Sequence, residues 1–154
     1  MSKTEIRFQF PESERKRFRD WAYSLKSENM EEVRKLIKKT LSDTERFAKL
    51  GAPVDKGRLR SSIRMNLGHE ELGGSVGSNV KYAPYQEFGT GKWVFKNYSQ
   101  YNRILPGLEK YASQFKGEGK RKVNIYPKAY LFPAFNLGVR SMMLKLDKMG
   151  FKKK

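Results

Sequence analysis

The sequence feature that most constrains the fold is an amphipathic stripe between residues 29 and 51. Asn29 followed by Glu32 fits a capping box, which predicts that a helix starts there. Gly51 is expected to cap its C-terminus, and Pro53 cannot continue it. We therefore predict a helix of about 20 residues whose buried face must find a partner. The side chains of that face recur at helical spacing: Met30, Val33, Ile37, Leu41, Thr44, Phe47 and Ala48.

Two shorter elements are predicted before this helix. Residues Ile6 to Phe10 alternate apolar and polar side chains, which is typical of a short strand or arm. A helix is predicted from about Glu12 to Lys26. Residues 27–29 either separate the two helices or lie inside one long bent helix. The apolar positions of the first helix are Phe18, Trp21, Ala22 and Leu25.

A β-hairpin is predicted after Pro53. Its first strand runs to Leu67, the segment GHEELGG forms the turn, and its second strand runs from Ser75 to Tyr82. The second strand places Val76 and Val80 on one face together with Tyr82. The first strand places these residues on one face: Leu59, Ser61, Ile63, Met65 and Leu67.

The second half of the chain predicts shorter elements. YAPYQEFGT favours a turn or a single helical turn that closes on Gly89 and Gly91. Residues 125–130 are expected to be extended, and Pro133 fits the first turn of a final helix that ends at Gly150. The helical spacing of four apolar residues predicts a short helix: Leu108, Tyr111, Ala112 and Phe115. The same spacing predicts the final helix, whose apolar residues are Phe135, Val139, Met142, Met143, Leu146 and Met149.

These elements predict an α+β fold, in which a long N-terminal helix and a C-terminal helix pack on a small antiparallel sheet. We expect residues 1–26 to form an N-terminal arm and short helix. Residues 27–154 are expected to form one domain, with an aromatic and basic insertion at residues 93–124.

The net charge of +17 is the strongest compositional signal. Residues 1–77 carry 17 basic and 12 acidic residues, a net of +5, whereas residues 78–154 carry 16 basic and 4 acidic residues, a net of +12. Such a charge indicates an anionic partner, which is a nucleic acid, an acidic membrane surface or an acidic protein. The chain has no cysteine, and no apolar run resembles a signal peptide or a membrane span.

The sequence offers little support for catalysis. His69 lies in the predicted hairpin turn, without further metal ligands of suitable type nearby. Asp55 and Glu87 are the only acids in the two Gly-punctuated segments, and Asp55 is expected to stabilise its own turn. Gly91-Lys92 is followed by Trp93, so the phosphate-loop pattern fails. We therefore expect no catalytic residue, no metal and no cofactor.

Aromatic and basic residues alternate through the insertion, and two interpretations stay open. They are typical of a platform that stacks single-stranded nucleic acid bases. Alternatively, the aromatic residues belong to the core or a subunit interface and the cations face solvent. The aromatic residues are Trp93, Phe95, Tyr98, Tyr101, Tyr111 and Phe115. Candidate contacts to a partner or to DNA are Lys92, Lys96, Arg103, Lys116, Lys120, Arg121 and Lys122.

Three segments in a fixed order resemble a known family. The first motif comprises Pro53, Val54, Asp55, Gly57, Leu59 and Ser62; the second comprises Tyr82, Ala83, Glu87, Gly89 and Thr90; and the third comprises Pro133, Ala134 and Phe135. Together they resemble the gene-product-ten-like family of tail components or neck proteins of long-tailed bacteriophages. The resemblance covers roughly residues 29–92 and 125–150.

The resemblance implies a structural virion protein rather than an enzyme. It implies a position in the neck, at the head–tail junction, or a role in tail completion, with the connector or head-completion protein and the tail terminator or tube protein as partners. A ring of about six copies would carry about 102 positive charges, which acidic neighbours or packaged DNA would have to neutralise. Assembly would take place in the host cytoplasm, with no membrane partner. The alternative is a basic nucleic-acid-binding protein.

The resemblance also implies structural roles for individual motif residues. The glycines are expected to permit unusual backbone conformations. Tyr82, Tyr85 and Phe88 are expected to be buried anchors. Glu87 is expected to pair with an arginine such as Arg58 or Arg60.

Overall fold

A computed structural model describes residues 6–8, 12–94, 108–116 and 124–152. Two short 3-10 turns lie at His69–Glu71 and Gly91–Trp93. The regular elements, in chain order, are β1 (Ile6–Phe8), α1 (Glu12–Tyr23), α2 (Ser27–Gly51), α3 (Arg58–Ser62), β2 (Arg64–Leu67), β3 (Gly74–Ser78), α4 (Ala83–Phe88), α5 (Leu108–Ser113) and α6 (Leu131–Lys148). The predicted α+β class is confirmed.

The sheet has three antiparallel strands in the order β1-β3-β2. The register places Ile6 opposite Ser78 and Met65 opposite Val76. The predicted hairpin is therefore confirmed, and the N-terminal arm supplies the third strand. Residues 124–130 have no regular secondary structure and lie outside the sheet.

Helix α2 packs across the sheet with the predicted face. Its buried residues are Val33, Ile37, Leu41, Thr44 and Ala48. Glu45 adds a polar contact, because its carboxylate accepts hydrogen bonds from the Met65 N–H at 2.6 Å and from the Lys49 ammonium. Burial raises the pKa of Glu45, but these bonds outweigh it and hold the pKa below its usual range.

Helices α2 and α6 pack against each other in antiparallel directions. Gly51 lies beside Tyr130 at the start of α6, and Gly138 lies beside Thr40 and Thr44. A Cβ atom at position 138 would overlap the Thr44 hydroxyl oxygen, so the absence of a side chain allows the close crossing. This helix pair holds one side of the sheet.

The predicted start of α2 and the predicted capping role of Gly51 were wrong, whereas the predicted stop before Pro53 is confirmed. The helix begins at Ser27, with Lys26 as its N-cap, so Asn29 lies inside the first turn and forms no capping box. At the other end, Gly51 is still helical, and Ala52 is extended with φ −64° and ψ 131°. The residue before a proline is forced out of the helical region, so Pro53 ends this helix without a left-handed glycine.

The segment before β2 was predicted as strand but is helical. Gly57, with φ 73°, turns the chain into α3, in which Leu59 is buried. Ile63, the residue that follows α3, is buried as well. The hydroxyls of Ser61 and Ser62 donate to backbone carbonyls three residues earlier. These local bonds favour a helical turn over a strand.

The predicted end of the last helix is confirmed. Gly150, with φ 102°, lets the Phe151 N–H reach the Leu146 carbonyl at 2.9 Å, which is the bond of a Schellman motif. Phe151 is buried, with ring centroids 5.5 Å from Phe18 and 5.1 Å from Trp21. The C-terminal cap therefore joins α6 to α1. Among the described residues, no helix is long and apolar enough to cross a membrane.

Candidate functional site

The first motif forms the turn into α3 and a link to the sheet. Gly57 adopts the left-handed conformation, and Leu59 is buried in the core. The Ser62 hydroxyl lies 2.7 Å from the Ser78 hydroxyl on β3. The Asp55 side chain is exposed and forms no hydrogen bond with the described residues, so the expected Asp55 turn was wrong. Val54 is 56% exposed beside it.

The second motif places a carboxylate in the core. Glu87 lies on α4 and is fully buried. Its oxygens accept hydrogen bonds from the N–H groups of Tyr130 at 2.9 Å, Leu131 at 2.9 Å and Phe132 at 3.0 Å. A helix N-terminus leaves amide donors without internal partners and carries partial positive charge. Glu87 therefore caps α6 from a distant part of the chain.

The predicted partner of Glu87 was wrong. Arg58 and Arg60 are both exposed, whereas Glu87 has no exposed surface. The physical reason is that a buried carboxylate needs donors where it lies, and the first turn of α6 supplies three of them. The two partners of this contact are thus a side chain and a backbone segment rather than two side chains.

The end of the second motif clamps the segment that leads into α6. The Thr90 N–H donates to the Ile125 carbonyl at 2.9 Å, and the Thr90 hydroxyl accepts from the Ile125 N–H at 2.8 Å. Gly89 has φ 76°, and a Cβ there would lie 2.8 Å from both the Ile125 oxygen and Pro127 Cδ. Gly91, with φ 60°, packs against Asn124 in the same way. The two glycines therefore allow residues 124–127 to lie directly on the motif.

The third motif begins α6 at this clamp. Ala134 and Phe135 are buried, whereas Pro133 is exposed in the first turn of the helix. Tyr130, just before it, is 2% exposed, and its hydroxyl has no hydrogen-bond partner among the described residues. Burial and the nearby Glu87 carboxylate raise the pKa of Tyr130, so the phenol stays neutral.

We call the contacts of Glu87 and Thr90 with residues 124–132 the motif joint. The sequence singled out the residues of the second motif but did not predict that they bind the segment that precedes the third motif. One signal was available. The sequence KAYLFPAF, which spans the start of α6, offers no Ser, Thr, Asp or Asn as N-cap, so the first amides of the helix need an acceptor from elsewhere.

Aromatic residues close the other side of the joint. Phe88 lies 5.8 Å from Tyr111 and 5.9 Å from Phe115, and Tyr85 lies 5.4 Å from Phe115, measured between ring centroids. Phe88 is therefore the buried anchor that we predicted, and Tyr85 is half-buried. Tyr82 is 38% exposed, so its predicted burial was wrong.

The insertion is described only in part. Of its aromatic residues, Tyr111 and Phe115 pack in this core, which supports the core interpretation for these two. Lys92 and Lys116 are exposed, and the Lys92 ammonium lies 4.9 Å from the Trp93 ring centroid. The remaining candidate contacts lie outside the described residues: Lys96, Arg103, Lys120, Arg121 and Lys122.

The described part of the chain contains no cluster of three or more His, Cys, Asp or Glu side chains that could hold a metal ion. The His69 side chain is 92% exposed. The carboxylate of Glu87, the one acid of the second motif, is engaged with three backbone amides. What the joint can do chemically is hold two distant segments together.

Comparison with known protein families finds a similarity over part of the chain. Residues 16–89 match the family model described as "Bacteriophage HK97-gp10, putative tail-component". No curated protein and no solved structure matches the chain. The matched segment contains the first motif and the second motif up to Gly89, whereas Thr90 and the third motif lie beyond it. The family seen in the motif resemblance is thus also the family whose model matches residues 16–89, which are 74 of the 154 residues.

Proposed function

We propose that the chain is a structural protein of a tailed bacteriophage that acts in the neck, at the head–tail junction, or in tail completion. Its role is to assemble in several copies, about six in a closed ring, between the connector and the tail. The partners are the connector or head-completion protein and the tail terminator or tube protein. The protein is assembled in the host cytoplasm and resides in the virion.

The motif joint is the observation that carries this proposal. Three residues of the second motif hold residues 124–132 in place, namely Glu87, Gly89 and Thr90. A buried carboxylate that already accepts three amide hydrogen bonds is suited to rigidity rather than to proton transfer. Motifs of this kind support a scaffold that presents surfaces to neighbours, which agrees with the matched tail-component family.

The charge of the chain supports assembly on an acidic partner. A ring of six copies would place about 102 positive charges in one collar, and such a ring repels itself in dilute buffer. We therefore expect the isolated protein to be monomeric at low salt, and to assemble only when an acidic protein surface or packaged DNA is present. Size-exclusion chromatography with light scattering checks the first part, and a stable ring in low salt would contradict it.

Electron microscopy of lysates made with this gene disabled tests the position in the virion. DNA-filled heads lying apart from tails of normal length would place the protein at the junction. Tails of abnormal length, or none, would move it to tail completion. Normal infectious particles would refute a virion role.

Binding to nucleic acid outside a virion is the second candidate function. It is favoured by the net charge of +12 in residues 78–154. It is weakened by Tyr111 and Phe115, whose rings are packed against Phe88 rather than free to stack on bases. Tight binding to one DNA or RNA sequence at physiological salt would favour this candidate. Binding without sequence preference that falls steeply with salt is expected of any chain this basic.

A further inference from the structure

The outward side of the α2 and α6 pair carries large apolar side chains that the fold leaves in solvent. Their exposed fractions are 36% for Phe47, 67% for Leu50, 54% for Leu137 and 69% for Leu144. We call these four residues the outer face. An exposed Leu is ordinary by itself, but a group of apolar residues on adjoining helices indicates an interaction surface.

Contacts of the two helices show that these residues share one side. Leu41 and Glu45 of α2 reach β3 and β2, so the sheet lies on their side of the helix. At about 100° per residue, Phe47 and Leu50 point roughly opposite to them. Thr44 packs on Gly138 at the helix crossing. In an antiparallel pair, this contact turns Leu137 and Leu144 to the same outward side.

On the α2 side of the outer face the charges are paired, since Asp43 forms ion pairs with Lys39 and Arg46. On the α6 side the cations have no partner in the described part of the chain. Leu137 and Leu144 are seven residues apart, so they lie about 10 Å apart along one stripe of α6. Arg140 lies between them on that stripe, Lys148 follows one turn later, and Lys145 is adjacent. Within the described residues, none of these three exposed cations has a hydrogen-bond or ion-pair partner. The acid of this helix, Asp147, is bound by the Lys152 ammonium at 2.9 Å.

We propose that the outer face docks an acidic protein surface that also carries apolar side chains. A second copy of the chain fits poorly, because it brings another +17 of like charge. DNA would satisfy Arg140 and Lys148 but would leave Leu137 and Leu144 in water. An acidic and apolar protein surface satisfies both sets, since apolar contacts give affinity at the centre of an interface and complementary charges steer the encounter.

The inference deepens the proposed function and rests on it, because the partner is then a protein of the same virion. The probe is particles purified from a lysate in which this gene is disabled. Labelled protein is mixed with these particles, and the bound fraction is measured after sedimentation. The test variant is Leu137→Glu/Leu144→Glu, which lowers the net charge to +15 by the two added acids. Both positions are exposed, and Glu is a good helix former, so the fold should be retained.

The matched control is Lys16→Gln/Lys38→Gln, which also gives +15 by removing two exposed cations on α1 and on another side of α2. We expect the control to bind like the natural chain, within about twofold, and the leucine variant to bind roughly 100-fold more weakly. If circular dichroism shows that the leucine variant is unfolded, Leu137→Gln/Leu144→Gln replaces it and should lose binding as well.

The outcomes separate this inference from the proposed function. If the natural chain binds the particles and the leucine variant binds equally well, the outer face is not the docking surface, while the virion role stands. If the natural chain does not bind, the virion role fails and the inference with it. Selective loss of binding to phosphatidylserine vesicles or to a 30-base-pair DNA duplex in the leucine variant, but not in the control, would assign the face to lipid or DNA and overturn the proposal.

Discussion

Replacing Glu87 by Gln tests the motif joint with the smallest change in shape. The natural carboxylate accepts three N–H bonds, two at one oxygen and one at the other. A Gln side chain offers one acceptor oxygen and one NH2 group, which is itself a donor. At least one amide at the start of α6 therefore faces another donor in a fully buried place.

The expected cost follows from these bonds. A hydrogen bond to a charged group contributes about 1.5–3 kcal/mol, and a buried donor without a partner costs about 1–3 kcal/mol. Losing one or two of the three bonds should lower the free energy of unfolding by about 2–4 kcal/mol. Glu87→Ala, which removes every acceptor, should cost about 4–5 kcal/mol. Against a total of about 5–15 kcal/mol for a domain, either change is large.

Thermal and urea unfolding, followed by far-ultraviolet circular dichroism, measure this loss. For a chain of 154 residues, each kcal/mol shifts the midpoint temperature by about 2–4 °C, so Glu87→Gln should shift it by roughly 5–15 °C. Hydrogen exchange should rise first at Tyr130, Leu131 and Phe132, the donors of the joint. Glu32→Gln, on the exposed side of α2, is the control and should change stability by less than about 0.5 kcal/mol. A Glu87→Gln protein as stable as this control would refute the argument.

Three further changes test other contacts. Gly89→Ala should lower the free energy of unfolding by about 2–4 kcal/mol in urea titrations, because φ is positive there and a Cβ atom meets backbone atoms. The control Gly73→Ala has open space around it and should be nearly neutral. Equal losses in the two variants would contradict the close packing of residues 124–127 on Gly89. Gly138→Ala should lower the free energy of unfolding by about 1–3 kcal/mol, and the added change Thr44→Ala should restore part of that stability. If the effects of the two changes simply add in a double-mutant cycle, the close contact between Gly138 and Thr44 is contradicted. Because the pKa of Glu45 is lowered in the folded state, its contribution is complete at neutral pH and is lost as pH falls below about 4. Glu45→Gln should therefore cost about 1 kcal/mol at pH 7 and less at pH 3, and a difference independent of pH would count against this explanation.

Local patterns in the sequence determined most of the elements. The stripe of α2 predicted its five buried residues because a helix face must be covered by something, whatever that partner is. The hairpin, the helical turn at residues 83–88 and the end of α6 at Gly150 also followed from residue order alone. Each depends on conformational preferences of a few adjacent residues, which act before any distant contact forms.

Local patterns failed where two structures satisfied the same spacing. Leu59 and Ile63 are four residues apart, so they share a face both in a strand and in a helix. The helix is favoured by the left-handed conformation of Gly57 and by the hydroxyl hydrogen bonds of Ser61 and Ser62. At Asn29 and Glu32 the capping pattern was present, but the chain had already entered the helix at Ser27. A pattern that fits two states does not choose between them.

The joint and the outer face were decided only by the tertiary structure. The residues around Glu87 do not predict that its partners lie more than 40 residues away. Those partners are backbone amides, which nearly every residue carries, so they leave no pattern in the sequence. Likewise, Phe47 belonged to the predicted buried stripe, yet the position of α6 and the sheet leaves it 36% exposed. The sequence by itself determined which faces are apolar. Which of those faces are covered depends on how the helices cross. Gly138 permits that crossing, because a Cβ atom there would overlap Thr44, and this contact exists only in the folded chain.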